Sequence, residues 1–478
     1  MSVSTSAAPI AAAIACAIAA ATWVSPAVAQ TTTTPPPAEH VHSTSAPSMI
    51  MMPMTDPLGL PMTRMGSGTT WLPDSAPMFG VMRNAGAWMF MMHGSVFVQQ
   101  SVQGGERGDS QFGSANWGMI NAMRAVAGGR LQLRAMGSVD AYTVGGRGYP
   151  MLLQTGESYR GESLHDRQHP HDMIMELAAV FERAVSKDVA VQVYLAPAGE
   201  PALGPVAFPH RPTAAADPFA TISHHWQDAT HVSFGVATAG VYTRRVKVEA
   251  SAFNGREPDG VRTNIDWQGA SLDSYAGRVT VAPTASLALS ASYGRLQDAE
   301  KAHPGEAVRR AVGAALWSRT DARGGSRSLA FIVGANAVAD EAWSRAYTAE
   351  ALTDIGGKTQ LFLRAESVQK SAEELVLEVD HGIELHSASV SSTPASLVSR
   401  RTLLQRDVVA AESRYQVAHL TVGALRETAL GRFGRIGLGA RGTLNLVPSS
   451  LEAVYGSRTP LGAAVYVRWR TGRMVMTH

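Results

Sequence analysis

The chain has 478 residues, with 41 Lys and Arg against 39 Asp and Glu, a formal net charge of +2, and one cysteine. So even a balance leaves no basic footprint for a polyanion, which excludes nucleic acid as a partner. The cysteine, Cys16, falls in a segment read below as cleaved, so a disulfide framework and a thiolate metal site are both excluded from the mature chain.

Residues 1–29 read as a secretory signal peptide. Ala7 to Ala21 is an alanine-rich apolar run, and Ala27-Val28-Ala29 is a small-x-small cleavage site before Gln30. Residues 30–80 then form a leader rich in Pro, Thr, Ser, Met and His with no hydrophobic period, as in Thr31-Thr32-Thr33-Thr34-Pro35-Pro36-Pro37, and are expected to be disordered. Methionine is concentrated here and just beyond: 17 of 20 lie between residues 49 and 175. His40, His42, Met49, Met51, Met52 and Met54 form a candidate site for a soft ion, because thioethers hold Cu(I) or Ag(I) better than hard cations. Met89, Met91, Met92 and His93 continue the series beside Trp88 and Phe90, in a stretch that already alternates like a strand.

From about residue 86 to the C-terminus, 81–478 being taken as one domain, the dominant period is two. Leu131, Leu133 and Ala135 alternate with Gln132 and Arg134, and Val246, Val248, Ala250 and Ala252 with Lys247, Glu249 and Ser251. Ile436, Leu438 and Ala440 alternate with Gly437, Gly439 and Arg441, and Val465, Val467 and Trp469 with Tyr466, Arg468 and Arg470. Gly128-Gly129, Gly324-Gly325 and Gly356-Gly357 punctuate the series as turns. An apolar face opposite a charged one, strand after strand, behind a signal peptide, predicts an all-β fold: an antiparallel transmembrane β-barrel of about 16 strands, with 14 to 18 compatible, embedded in outer-membrane lipid.

The densest chemistry lies in two His clusters. His165, His169, His171 and Asp172 fall within eight residues, and His224, His225, Asp228 and His231 follow after a long connection that also carries His210. Residues 173–182 and 189–195 read as a hairpin closed by Ser186-Lys187-Asp188. That hairpin places the first cluster at the same barrel end as the 197–230 segment, which Pro197, Pro201, Pro205, Pro209, Pro212 and Pro218 keep out of any sheet. Imidazoles with carboxylates at hand are ligands for a transition metal, or else a polar network that fixes the loop to the wall.

Three functions are compatible with this pattern. The leading expectation is a barrel that binds or passes copper or a similar ion, with metal ions and periplasmic metal-handling proteins as partners and no enzymatic role. The alternative is a diffusion porin or solute channel in which the histidines are structural. A barrel-borne hydrolase using Ser223, His224 and Asp228 has the residue types but lacks a G-x-S-x-G elbow. In its Met/His-rich leader and β-barrel body the chain resembles the copper-resistance outer-membrane protein B family. That resemblance covers architecture and leader composition only and carries no residue role with it.

Overall fold

The computed structural model describes residues 55–160, 162–228, 232–267, 271–299, 305–321, 324–339, 341–375, 379–380, 409–410 and 414–474. The expected signal peptide, the leader up to Met54 and the sites placed on His40, His42, Met49, Met51, Met52, Met54 and His231 lie outside the described residues.

Sixteen antiparallel strands close into one barrel. In chain order they are β1 Trp88–Gln103, β2 Ser110–Val126, β3 Gly129–Gly137, β4 Ile174–Ala184, β5 Ala190–Ala198, β6 Val236–Tyr242, β7 Val246–Phe253 and β8 Ser274–Thr284. Then follow β9 Leu287–Gln297, β10 Ala307–Thr320, β11 Ser326–Val338, β12 Ser344–Ile355, β13 Thr359–Ser371, β14 Arg414–Ala429, β15 Arg435–Leu446 and β16 Leu461–Arg470. Each pairs with its sequence neighbour, and β16 closes the ring on β1 in the register Ser95↔Arg470 to Gln103↔Gly462. Below that seam β1 is long enough to pair with a further short strand, Val81–Ala85. Closure removes the edges of the barrel wall, which is what a strand structure in lipid requires, since no water is there to satisfy an open edge.

The alternation seen in the sequence sorts cleanly onto two faces. In β7, Val246, Val248, Ala250 and Ala252 point outward, and Lys247, Glu249, Ser251 and Phe253 are buried inside. Val98, Ile120, Leu133, Val279, Leu289, Phe331, Val422 and Leu438 are large apolar side chains left exposed on the outer wall. Arg278, Arg310, Glu350, Arg364, Glu366, Lys370, Arg441 and Arg468 are buried on the inner one. An exposed apolar exterior around a charged interior is the inverse of a water-soluble protein and fits a lipid solvent.

Connections at one end are only two to five residues long, as at 127–128, 243–245, 285–286 and 356–358. Gly356 and Gly357 both take positive φ, 60° and 66°, as a tight hairpin turn of the primed type requires. At the other end the connections 138–173, 199–235, 254–273 and 372–413 are long. Short turns on one side and long loops on the other match the periplasmic and external ends of outer-membrane barrels.

From Thr55 onward the leader departs from the expectation of disorder. Residues 55–80 pack inside the short-turn end, where Leu58, Leu60, Met62 and Leu72 are buried. The segment makes no ladder, so the wall supplies its partners. Arg134 donates to Gly68 O and Lys247 to Thr69 O, both at 2.6 Å, and Arg278 donates to Thr69 Oγ1 at 2.8 Å. Within the segment, Arg64 pairs with Asp74. Composition alone misses this because the apolar residues are spaced for contact with a barrel interior, not for a helix or strand of their own.

Placing a charge on the lipid face tests the inside–outside assignment. Val279→Arg on β8 is expected to lower the unfolding free energy in vesicles by about 2–4 kcal/mol if the site lies near the bilayer midplane. The inward-facing Thr280→Val should not show that loss. Urea titration in lipid vesicles reads both.

Candidate functional site

The second long connection, 199–235, does not project outward: its described part, through Asp228, runs into the lumen. Pro197, expected outside any sheet, falls within β5, and the five prolines of 199–235 deny that stretch strand pairing, so its carbonyls need donors from elsewhere. The wall provides them from several strands. Arg278 donates to Gly204 O at 3.0 Å, and Arg468 donates to Ala215 O. Tyr466 Oη donates to Ala216 O at 2.6 Å, and Arg364 donates to Phe219 O and Ala220 O at 3.0 and 3.1 Å. Asn336 donates to His225 O and Arg310 to Asp228 O, at 2.8 and 2.9 Å.

A chain of buried ion pairs holds the middle of this segment. Arg211 grips Glu350 on β12 with Nε and Nη2 at 2.7 and 2.9 Å, and Thr213 Oγ1 donates to the same carboxylate at 2.5 Å. Arg364 on β13 bridges Glu350 at 3.1 Å and Asp217 at 3.2 Å, and Arg441 on β15 takes the other Asp217 oxygen at 2.8 Å. Three guanidinium groups and two carboxylates thus alternate across the lumen. Each charge has an opposite partner, which is the condition for burying it without a large desolvation cost.

The first long connection, 138–173, covers the external side. Met151, Leu152, Leu153 and Leu164 are buried there, with Tyr149 edge-on to Phe219 at 5.0 Å. Lys370 donates to Thr155 Oγ1 at 2.6 Å, and Arg107 pairs with Asp166 at 2.7 Å.

Between these segments two cavities remain. The larger, about 1220 Å³ including the space open to solvent, runs along the inner face of β1 and β2, from Met78, Phe79 and Thr471 at the short-turn end to His171 and Pro218. The second, about 830 Å³ on the same measure, extends toward the external end between His169, Asp172, Glu200, His224 and Asp228. The two share His171, Phe208 and Pro209 as a common wall. There the His171 ring stacks on Phe208 with centroids 6.0 Å apart, and Asp140 holds its Nδ1 at 2.7 Å.

Parts of the two histidine clusters, His169, His171 and Asp172 of the first and His224 and Asp228 of the second, border one cavity. They do not form a ligand sphere: among the described residues, no three His, Cys, Asp or Glu side chains are grouped to hold an ion. His165 lies apart, its Nδ1 3.1 Å from Glu374 O. Asp172 pairs with Arg262 at 3.5 Å. His224 bonds Thr221 O through Nδ1 at 2.9 Å and lies against His225, with ring centroids 4.2 Å apart. Burial pushes His165, His224 and His225 below the ordinary imidazole value and Asp172 and Asp228 above the ordinary carboxylate value. Ser223 donates its hydroxyl to Glu366 at 2.9 Å and lies 2.6 Å from Thr348 Oγ1, an anchoring role in the wall network.

His210 leaves the cluster it was grouped with. Its ring lies among His93, Trp117 and Met136, on the wall of the larger cavity. The inward-facing Glu350, Arg364 and Arg441 also escaped the sequence reading as site residues. Their strand parity marks them as lumenal, but nothing local couples them to Arg211 and Asp217.

No family model matches the chain, and no curated protein does. Among solved structures it is similar to OmpT, an outer membrane protein of Vibrio cholerae, at 8% identity and TM-score 0.41, over 81% of this chain and 99% of that one. An anion-selective porin from Comamonas acidovorans gives 11% identity and TM-score 0.42 over 80% and 99%. Salmonella typhi OmpF in complex with daunomycin gives 9% and 0.44 over 82% and 100%. The strand pairing described above defines the class: an outer-membrane β-barrel with sixteen strands.

Glu200, at the start of the inward segment, carries a pH signature. Burial pushes its carboxyl up to about 7, with Glu176 and Asp228 adding to the rise. The unfolded chain releases this proton near its ordinary value and the folded chain only near neutrality. The contribution to stability is therefore complete at acid pH and is lost as pH rises toward 7. Protease resistance of the 199–228 segment is expected to fall between pH 5 and pH 8 by virtue of this group, and Glu200→Gln should flatten that fall.

Proposed function

We propose that this protein is a narrow outer-membrane solute channel whose lumen is largely filled by its own inward-folded segments. The observation that carries this reading is the pair of cavities that share the His171–Phe208 wall and follow one side of the barrel from the short-turn end toward the external end. A purely structural plug would have no need of an aligned pair of chambers, whereas a restricted path has its narrowest point where the two meet. His171 and Phe208 are then the constriction, and the Arg211–Glu350–Arg364–Asp217–Arg441 chain keeps the rest of the segment from collapsing into the path.

A metal-handling role is the second reading, and composition of the path favours it. Met65, Met78, Met91 and Met119 line the larger chamber together with His93, His171 and His210. Copper or a related ion as cargo, and periplasmic metal-handling proteins as its partners, rest on that lining.

Conductance across a planar bilayer separates a path from a plug. Wild-type protein is expected to conduct weakly, Phe208→Gly to conduct several-fold more, and Glu350→Ala to conduct most. The last variant strands Arg211 without its buried partner and should cost about 3–5 kcal/mol of local stability. A wild-type barrel that passes no ions, with Phe208→Gly equally silent, would contradict the channel reading.

A further inference from the structure

Beside the larger chamber, whose wall includes His93, Trp117 and His210, lies a group of side chains outside the 165–172 and 224–231 clusters. His93 projects from β1, Met136 from β3, and His210 from the inward segment, and they converge beside Trp117 of β2. His210 Nε2 lies 3.3 Å from Met136 Sδ, between residues 74 apart in the chain. The rings of His93 and His210 have centroids 5.6 Å apart, and Trp117 lies 5.3 Å from the first and 4.8 Å from the second. His93 Nε2 is buried and has no hydrogen-bond partner among the described residues.

We propose that His93, His210 and Met136 form a site for a monovalent soft cation, Cu(I) or Ag(I), under the Trp117 ring. The spacing fits such an ion. An imidazole–metal bond of about 2 Å places two ligating rings with centroids roughly 5–6 Å apart and adjacent donor atoms roughly 3–4 Å apart. Two imidazoles with a thioether form a neutral donor set in which the imidazoles suit copper and the soft Met136 sulfur tilts the choice toward Cu(I) or Ag(I). The surrounding charge points the same way. Asp217 also borders the chamber but is committed to Arg364 and Arg441, while the Arg134 guanidinium stands nearby and opposes a second positive charge. An unpartnered buried nitrogen is costly in a folded protein, and a ligated ion would relieve it. Trp117 adds an aromatic face within the range over which an indole attracts a cation.

This assignment names a cargo class for the path proposed above, yet it can fail or stand separately, because it is read by binding rather than by conductance. The full-length protein in a Cys16→Ser background, which removes the one competing thiol, is dialysed in detergent against Ag(I), alongside a version that also has Met49, Met51, Met52 and Met54 changed to Leu and His40 and His42 to Gln. That version silences the leader. It is expected to retain one tightly held Ag(I). In that background Met136→Leu, a near volume-conserving change, should weaken binding at least about tenfold, the scale on which even a supporting residue alters a metal site. His93→Gln and His210→Gln should abolish it. Quenching of fluorescence by Ag(I) should be reduced in Trp117→Phe. Unchanged heat-modifiable migration on gels confirms that each variant is folded. If the leader-silenced protein binds no Ag(I), or if folded Met136→Leu, His93→Gln and His210→Gln bind it as before, the site does not exist.

Discussion

The structure depends on how a proline-rich backbone is made tolerable inside a barrel. Residues 199–228 cannot join a sheet, and a buried carbonyl without a donor costs free energy comparable to a lost hydrogen bond. The inner wall answers with long cationic and phenolic side chains. Arg278, Arg310, Arg364, Arg468 and Tyr466 each reach a carbonyl of the segment. Arginine suits this task because its several donors can serve a carbonyl and a carboxylate at once, as Arg364 does with Phe219 O, Ala220 O and Glu350. The same device holds residues 55–80, where Arg134, Lys247 and Arg278 reach Gly68 and Thr69.

Those donors bring positive charge, and the carboxylates follow from it. Glu350 and Asp217 stand between arginines, one contributed by β12 and the other by the inward segment, so the segment and the wall neutralise each other. Arg441 also lies over the Phe219 ring at 4.3 Å, which seats the segment's apolar stretch on the same network. The filled side of the lumen is the charged side. What stays empty is the stretch against β1 and β2, whose inward groups include Met91, Phe97, Met119 and Asn121 rather than rows of ion pairs. The position of the cavities is therefore a consequence of where the arginines are.

Much of the barrel was legible in the sequence because lipid outside and a polar lumen inside impose a strict period of two. The hairpin drawn through Ser186-Lys187-Asp188 and the strands through Leu438 and Val248 are found as expected, with Leu438 and Val248 on the outer wall. The 197–230 segment read as a long connection near the first histidine cluster, and it shares a cavity with it. Other features were out of reach. Prolines mark the segment as irregular but do not say whether it turns outward or inward. That choice is made by Arg211 meeting Glu350, 139 residues away. The ordered half of the leader is not legible because its local turns and the Arg64–Asp74 pair leave no period in the sequence, and its remaining contacts are with carbonyls and cations of the barrel. His210 was grouped with neighbours in sequence, while its spatial neighbours, His93 and Met136, lie on strands whose convergence only closure of the barrel determines.

The central claim is that the 199–228 segment occupies the lumen, and thiol accessibility tests it most directly. In a Cys16→Ser background, Ala216→Cys places one thiol where Ala216 is fully buried against Tyr466, and Thr459→Cys places one on an exposed loop. A bulky membrane-impermeant maleimide should label Thr459→Cys rapidly in the folded, reconstituted barrel and leave Ala216→Cys unlabelled until the protein is unfolded. Equal labelling of the two in the folded state would place the segment outside the barrel and contradict the account.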